Sequence, residues 1–169
     1  PISYFRSFGI ETVALRFGNV YGPGSGHKNS VVAKFIKQAM NNENLEIYGD
    51  GSQTRDFIYI DDLTTAIYKA AIRASTIYPL TSNSCIGGEI FQIATNNETT
   101  VAEMSEILSA ILEENGISNF QVIQGEKRVG DVQRNFSDTT KADQQLDWRC
   151  SNTLQEGLAK TVRYFLLGS

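Results

Sequence analysis

The stretch "LEIYGDGSQTRDFIYIDDLTTAIYKAAIRA", residues 45–74, decides the fold class because two kinds of hydrophobic pattern follow one another in it. "LEIY" and "TRDFIYI" are short β-branched and aromatic runs on either side of the turn "GDGS", which predicts two short strands around a tight connection. "LTTAIYKAAIRA" then predicts a helix, with Asp61 and Asp62 as its N-cap. The apolar residues that share one face of this helix are Leu63, Ile67, Ala70 and Ala71. Strands followed directly by a helix favour an α/β protein.

The same alternation continues on both sides of this stretch. Upstream, "TVALRFG" at 12–18 predicts a buried strand that leads into the glycine-rich loop "GNVYGPGSG", and "SVVAKFIKQAMNN" from Ser30 predicts an amphipathic helix. Downstream, the patterns predict strands at 89–94 and 120–123 and helices at 101–116, near 139–146 and after Thr153. Two of these helices start with capping-box pairs, Thr100 with Glu103 and Thr153 with Glu156. With no repeat or linker, the chain is expected to form one α/β unit.

Composition excludes several classes of function. The 169 residues, of which 41% are apolar, are enough for one domain core. A net charge of −4 and a pI near 5.0 argue against a broad nucleic-acid or anionic-membrane surface. Cys85 and Cys150 form no CxxC pair, and His27 is the only histidine, so neither a zinc site nor a disulfide scaffold is expected. No apolar run approaches the roughly 20 residues that span a bilayer. A soluble, cytoplasmic protein without nucleic-acid or membrane partners is expected.

Two glycine loops resemble the start of a dinucleotide-binding fingerprint. "GPGSGH" at 22–27 and "GDGSQT" at 49–54 share its first two glycines, and both lack the third. That fingerprint requires a strand, the glycine loop and then a helix, whereas "GDGSQT" leads into a strand. Both loops are therefore interpreted as plain turns and not as cofactor cradles.

Three longer motifs are more specific in combination. They are "LRFGNVYGPG" at 15–24, "LEIYGDGSQTRDFIYIDD" at 45–62 and "RVGDVQRNFSDTTKADQQLDW" at 128–148. In this order they resemble the second half of the NAD-dependent nucleotide-sugar epimerases and dehydratases, which are extended short-chain dehydrogenases. UDP-glucose 4-epimerase is the nearest type. The resemblance covers nearly the whole chain.

The resemblance implies a fold and a domain division. The expected fold is α/β, the C-terminal part of a Rossmann-like extended short-chain dehydrogenase with its small substrate-binding domain. Residues from about 1–28 would end the NAD-binding domain, and residues from about 29–169 would bind the nucleotide sugar. The N-terminal Rossmann half, with the main NAD loop, is expected to be absent, and "SYFRSFGI" at 3–10 would be the tail of the helix that carries the family's catalytic Tyr-x-x-x-Lys pair.

No catalytic residue is assigned within this chain. None of its tyrosines is followed by lysine at the fourth position. The resemblance therefore implies an inactive fragment, expected to be monomeric, of an NAD-using parent that is expected to be a homodimer.

Arginines carry the expected phosphate chemistry. In the family, the arginines that match Arg55 and Arg128 clamp the diphosphate of the nucleotide sugar, and guanidinium groups match phosphate oxygens in shape and charge. The alternative for Arg55 is an ion pair with one of the nearby aspartates, which are Asp56, Asp61 and Asp62. Asp131 matches an acidic contact to the ribose hydroxyls, and its alternative is a turn residue after Gly130.

The remaining assignments also follow from the resemblance. Asn19 matches a substrate contact, and Phe17 and Gly18 match residues on the nicotinamide side of the site. Two of these have a structural alternative: a turn or cap for Asn19 and plain core for Phe17. The backbone from Leu45 to Tyr48 matches the segment that holds the base, so Tyr48 would cover the base ring, with a buried strand-end aromatic as the alternative.

Ser30 and Val31 match the phosphate end of the site, where the chain departs from the family pattern. Ala33 replaces a common proline, and Ser30 stands where some epimerases have asparagine. Asn135 matches a position that faces the sugar, although an exposed loop amide is an equal interpretation.

The implied function is the UDP-sugar-binding portion of an NAD-dependent sugar 4-epimerase. The alternatives are a UDP-glucuronate epimerase or decarboxylase, a dTDP-glucose 4,6-dehydratase, a non-catalytic nucleotide-binding module and an unrelated interaction domain.

Overall fold

The computed structural model of the chain describes residues 2–74 and 86–168, which form a mixed α/β structure. The helices are α1 (Ile2–Phe8), α2 (Val31–Met40), α3 (Ile60–Ala74), α4 (Val101–Glu114), α5 (Thr140–Leu146) and α6 (Leu154–Leu166). The strands are β1 (Ala14–Phe17), β2 (Asn19–Tyr21), β3 (Leu45–Tyr48), β4 (Thr54–Arg55), β5 (Phe57–Tyr59), β6 (Ile90–Ile93), β7 (Thr99–Thr100) and β8 (Val122–Gly125). Cys85 lies outside the described residues, so its predicted lack of a disulfide partner is untested.

Strand pairing joins segments that are far apart in the sequence. β1 pairs in parallel with β6, β2 with β5, and β3 with β8, while β4 pairs antiparallel with β7. The chain passes from the first ladder to the second at Gly18, where an added Cβ would lie 2.6 Å from the carbonyl oxygen of Asp56. Only glycine allows this approach, because the amide of Asn19 donates to that same carbonyl at 2.7 Å.

Two buried clusters form the core. The first lies between α2, β3, β5, α4 and α6 and includes Phe35, Leu45, Leu108 and Leu158. The second lies between α3, β6 and α5 and contains Trp148, which is 1% exposed. The indole of Trp148 donates to the carbonyl of Asp62 at 3.0 Å, so its one polar atom is satisfied in the core.

The predicted strands around "GDGS" exist, but they do not pair with each other. β3 joins β8, and the predicted "TRDFIYI" strand is divided at Asp56 into β4 and β5, which pair with β7 and β2. Asp56 is fully buried and accepts from the amide and hydroxyl of Thr95 at 2.7 and 2.6 Å. The backbone carbonyl of Asp56 accepts from the amide of Asn19 in β2, so the chain leaves the β4–β7 ladder for the β2–β5 ladder at this residue. The predicted loop "GNVYGPGSG" is likewise corrected, because its residues Asn19–Tyr21 form β2.

Helix α3 differs from the prediction at its start and on its buried face. It begins at Ile60, so Asp61 and Asp62 lie in its first turn and are not its N-cap. Its buried apolar residues are Leu63, Ala66 and Ala70. Ile67 is 49% exposed and Ala71 is also exposed, so both were wrongly placed on the core face. The buried face follows the spacing Leu63, Ala66, Ala70, which places Ala66 and not Ile67 against the second cluster.

Asp62 connects α3 to the loop before α6. Its carboxylate accepts from the amide and hydroxyl of Ser151 at 3.0 and 2.7 Å, from the amide and side chain of Asn152 at 3.2 and 3.1 Å, and from the Cys150 thiol at 3.2 Å. Burial alone would raise the pKa of Asp62, but these donors outweigh burial and hold the pKa below its ordinary value. Burial and the neighbouring carboxylate raise the pKa of Cys150 to about 12.

The predicted helix caps are present at two positions. Thr100 accepts from the amide of Glu103, and Thr153 forms a reciprocal capping box with Glu156.

None of the helices in residues 2–74 and 86–168 has the length and apolar character required to cross a bilayer. The same residues contain no group of three or more side chains arranged to ligate a metal.

Candidate functional site

A cleft of about 450 Å³ lies between the end of β2, the start of α2, the face of β3 and the segment that begins at Arg128. Most of the predicted site residues line it, namely Phe17, Gly18, Asn19, Ser30, Val31, Tyr48, Arg55, Arg128 and Asp131. They come from segments up to 114 positions apart in the sequence, between Phe17 and Asp131. The fold therefore brings together the three motifs that were separate in the sequence.

Two predicted residues do not line the cleft. Leu45 is fully buried in the first core cluster, whereas Glu46, Ile47 and Tyr48 of the same strand line the cleft. Asn135 lies on an exposed loop, and its amide donates to Thr54 Oγ1 at 3.4 Å.

The cleft is cationic although the chain is acidic. Lys28, Lys34, Arg55 and Arg128 line it, against the two acidic residues Glu46 and Asp131. The local excess of positive charge contrasts with the net charge of −4 for the whole chain. Such a local field favours an anionic ligand over a neutral one.

Helix α2 directs its N-terminus into this cleft. Ser30 is the N-cap residue, with φ −64° and ψ 150°, and its side chain makes no capping hydrogen bond. The Ser30 hydroxyl is buried without a partner, and Val31 and Val32 of the first turn also line the cleft. Free first-turn amides and the positive end of the helix dipole together form a ready anion site.

Arg55 is held at the opposite side of the cleft by three acceptors. Its Nη2 donates to Asp131 Oδ1 at 2.6 Å, and its Nη1 donates to the carbonyls of Thr54 at 2.7 Å and Val132 at 2.5 Å. Its ion-pair partner is thus Asp131, and none of the aspartates adjacent in sequence takes that role. This contact places the predicted phosphate and ribose residues side by side.

Tyr48 forms an aromatic and cationic cluster at one end of the cleft. The Arg128 guanidinium carbon lies 3.8 Å from the centroid of the Tyr48 ring, and Lys34 Nζ donates to the Tyr48 hydroxyl at 3.3 Å. The hydrogen bond from Lys34, followed by the Arg128 guanidinium, lowers the pKa of the Tyr48 hydroxyl. Tyr48 is half-buried, so its ring is open to a ligand.

Asn19 and Phe17 mark the other end. Asn19 lines the cleft, and its Nδ2 is a buried donor without a hydrogen-bond partner. Phe17 is 58% exposed, so the alternative of a plain core residue does not hold for it. An exposed aromatic ring beside a free amide donor fits a planar cofactor ring, although Gly18 itself is explained by the close approach of Asp56 described above.

Sequence reasoning missed five polar residues of the cleft, which are Lys28, Asn29, Lys34, Glu46 and Gln53. The Gln53 amide donates to the carbonyl of Tyr48 at 3.0 Å and so fixes the end of β3. Lys34 lies one helical turn after Ser30, and Glu46 lies two residues before Tyr48 on the same strand face. These spacings were visible in the sequence and would have identified Lys34 and Glu46.

A cationic cleft at the N-terminus of a helix, in a fold with parallel strand pairs, is typical of nucleotide-binding α/β proteins. A family model described as the NAD dependent epimerase/dehydratase family matches residues 2–94, which is more than half of the chain. The chain belongs to this family. Its relatives are NAD-dependent enzymes that act on nucleotide sugars.

Individual relatives agree with this assignment. The chain is 32% identical over 163 residues to a putative UDP-glucose 4-epimerase of Methanocaldococcus jannaschii, covering 95% of the chain and 48% of the relative. It is similar to the crystal structure of UDP-glucose 4-epimerase with UDP-glucose from Thermotoga maritima, with a TM-score of 0.79, 33% identity and coverage of 97% and 48%. A UDP-glucuronic acid 4-epimerase from Bacillus cereus, bound to a fluorinated UDP-glucuronic acid and NAD, gives a TM-score of 0.80 at 27% identity, with the same coverage. The chain spans about half the length of each of these relatives.

Proposed function

We propose that this chain binds a nucleotide diphosphate sugar, with UDP as the nucleotide, in the cationic cleft. The observation that carries the proposal is the convergence of Arg55, Arg128 and the free N-terminus of α2 on one cleft. The diphosphate would lie between the two guanidinium groups and the first-turn amides. Each of these groups donates hydrogen bonds and carries full or partial positive charge, which matches the two charges of a diphosphate.

The other residues take roles that follow from their positions in the cleft. Asp131, adjacent to Arg55, would accept hydrogen bonds from the ribose hydroxyls. The Tyr48 ring and the backbone of β3 would hold the base, and the free amide of Asn19 would contact the sugar. Ser30 and Val31 would contact phosphate through the hydroxyl and the backbone amide. Asn135 would reach the sugar only if the loop that carries it moved toward the cleft, because its side chain is exposed outside the cleft.

The reaction that this cleft would serve is 4-epimerisation of the bound sugar by an NAD-dependent parent enzyme. NAD would supply the hydride acceptor and donor at C4 of the sugar, and Phe17 and Gly18 would lie on its nicotinamide side. This chain would bind and orient the substrate and exclude water from it. The chain contains no Tyr-x-x-x-Lys pair, so we expect no turnover of UDP-glucose when NAD is added to the isolated chain. Measurable turnover would contradict this division of roles.

Other family activities remain as alternatives within the same class. A UDP-glucuronate epimerase or decarboxylase and a dTDP-glucose 4,6-dehydratase would use the same diphosphate clamp with a different sugar. The resemblance to the Bacillus cereus enzyme favours the first of these as the second candidate. A non-catalytic nucleotide-binding module would bind UDP as tightly as any UDP-sugar. An epimerase portion should gain affinity from the sugar.

The test is calorimetric titration of UDP, UDP-glucose, UDP-glucuronate and dTDP into the folded chain and into an Arg55→Ala, Arg128→Ala variant. Loss of two charge-assisted contacts, at about 1.5–3 kcal/mol each, should weaken binding by at least about 100-fold. Arg149→Ala is the control, because Arg149 pairs with Asp143 on an exposed surface outside the cleft. Equal affinity of wild type and the double variant, or no binding of any nucleotide to a chain whose fold is verified by circular dichroism, would refute the proposed clamp.

The assembly state also stays a proposal. We expect the isolated chain to be a monomer, which light scattering coupled to size-exclusion chromatography would establish. A stable dimer of about twice the 18.7 kDa chain mass would contradict it.

A further inference from the structure

Lys34 and Glu46 are neighbouring charged side chains of the cleft that have no role in the diphosphate clamp. Lys34 lies on α2 one turn from the helix start, and Glu46 lies on the cleft face of β3 beside Tyr48. Lys34 Nζ is 4.0 Å from Glu46 Oε2 and 3.3 Å from the Tyr48 hydroxyl. The side chains of Lys34 and Glu46 are 29% and 38% exposed, respectively.

This pair is poorly explained by stability alone. A partly exposed ion pair at 4.0 Å is at the outer limit of contact, and such pairs contribute little to folding. Strand β3 already packs through Leu45 and Ile47, which face the core, and is paired with β8. The two charges are instead presented to the cleft, at the end where Tyr48 offers an aromatic surface.

The chemistry of the pair matches one edge of a nucleotide base. A lysine ammonium only donates hydrogen bonds, and an ionised glutamate only accepts them. Uracil and thymine carry a carbonyl oxygen, which accepts, directly beside a ring N–H, which donates. Cytosine presents the opposite order at the same two atoms, with an amino donor beside a ring nitrogen acceptor.

We propose that Lys34 and Glu46 determine base specificity in this cleft by selecting a base with a carbonyl oxygen beside a ring N–H. Lys34 donates to the carbonyl oxygen, and Glu46 accepts from the ring N–H. The base ring packs beside Tyr48, whose ring is covered on one face by the Arg128 guanidinium, 3.8 Å from its centroid. This inference rests on the proposed function, because it requires that the nucleotide occupies the same cleft.

A cytosine base in the same position would meet two mismatches. Its amino group would face the Lys34 ammonium, donor against donor, and its ring nitrogen would face the Glu46 carboxylate, acceptor against acceptor. Unpaired polar groups in a partly buried site reduce affinity strongly. We expect UDP and dTDP to bind at least about tenfold more tightly than CDP.

The experiment compares UDP and CDP by calorimetric titration against wild type, Lys34→Met, Glu46→Gln and the exchange variant Lys34→Glu, Glu46→Lys. The exchange variant keeps the ion pair and the net charge but reverses donor and acceptor, so it separates base recognition from a structural role. It should shift the ratio of affinities toward CDP by at least about tenfold. Lys34→Met and Glu46→Gln should each reduce the preference for UDP, since Met cannot donate and Gln can donate to the cytosine ring nitrogen. Glu106→Gln, an exposed position on α4 outside the cleft, is the control and should keep the wild-type ratio.

The outcomes distinguish the two proposals. If wild type binds neither nucleotide, the proposed function fails and this inference fails with it. If wild type binds UDP and CDP equally, or if the exchange variant keeps the wild-type ratio, the nucleotide site stands but Lys34 and Glu46 do not select the base. A ratio that moves toward CDP in the exchange variant, with Glu106→Gln unchanged, supports the proposal.

Discussion

Arg55 offers a direct test of how the cleft is held together. The segment from Glu126 to Thr139 contains neither helix nor strand, and Arg55 joins it to β4 through Asp131 and the carbonyl of Val132. Replacing Arg55 by lysine keeps the charge but removes the planar fork, so one ammonium cannot reach all three present acceptors. Two lost hydrogen bonds at about 1 kcal/mol each predict a loss of about 2 kcal/mol in the free energy of unfolding. For a chain of this size, that corresponds to a fall of about 4–8 °C in Tm.

The matched control is Arg134→Lys, which alters an arginine of the same segment. Arg134 pairs with Glu98, but its side chain is 70% exposed, whereas that of Arg55 is 16% exposed. An exposed pair contributes about 0.5 kcal/mol, so Arg134→Lys should lower Tm by about 1–2 °C. Both variants are compared with wild type by differential scanning calorimetry at one pH and one protein concentration. Equal shifts for the two variants, or no shift for Arg55→Lys, would refute the role given to the Arg55 fork.

Three further predictions concern the core. Because the pKa of Asp62 is lowered in the folded state, its carboxylate stabilises the fold above the unfolded pKa of about 3.9, and this stability is lost as pH falls through the lower folded pKa. Urea unfolding from pH 5 to 2 should therefore show a steeper fall in the free energy of unfolding for wild type than for Asp62→Asn. With its pKa near 12, Cys150 in a Cys85→Ser chain should react with a thiol reagent at pH 8 far more slowly when folded than in urea, and equal rates would contradict its burial. In Gly157→Ala, the new Cβ would lie 2.1 Å from the Tyr21 hydroxyl, so we expect the free energy of unfolding to fall by about 1–2 kcal/mol, measured by thermal unfolding. Adding Tyr21→Phe should restore part of this loss, and a stabilised Gly157→Ala variant would contradict this packing.

Local patterns were sufficient for the elements whose ends are marked by short-range chemistry. The capping residues Thr100 and Thr153 predicted the starts of α4 and α6, since a hydroxyl acceptor three residues before a glutamate satisfies free helix amides wherever it occurs. The start of α3 was misplaced because its aspartates could serve either as helix N-caps or, in the case of Asp62, as a buried acceptor for the loop before α6. The burial of Asp62 against the loop at Ser151 was decided by residues almost ninety positions away, and no local pattern contains them.

The sequence by itself determined the α/β class, the family and nine of the residues that line the candidate site, because long ordered motifs and periodicity are properties of the chain alone. Tertiary structure decided which strands pair, that Arg55 contacts Asp131, that Leu45 faces the core and that Lys34 joins Glu46 and Tyr48 in the cleft. The physical reason is that strand pairing and side-chain direction depend on which distant segments pack together. Hydrophobic contacts and hydrogen bonds between such segments carry most of the folding free energy and are not encoded in any short window of residues.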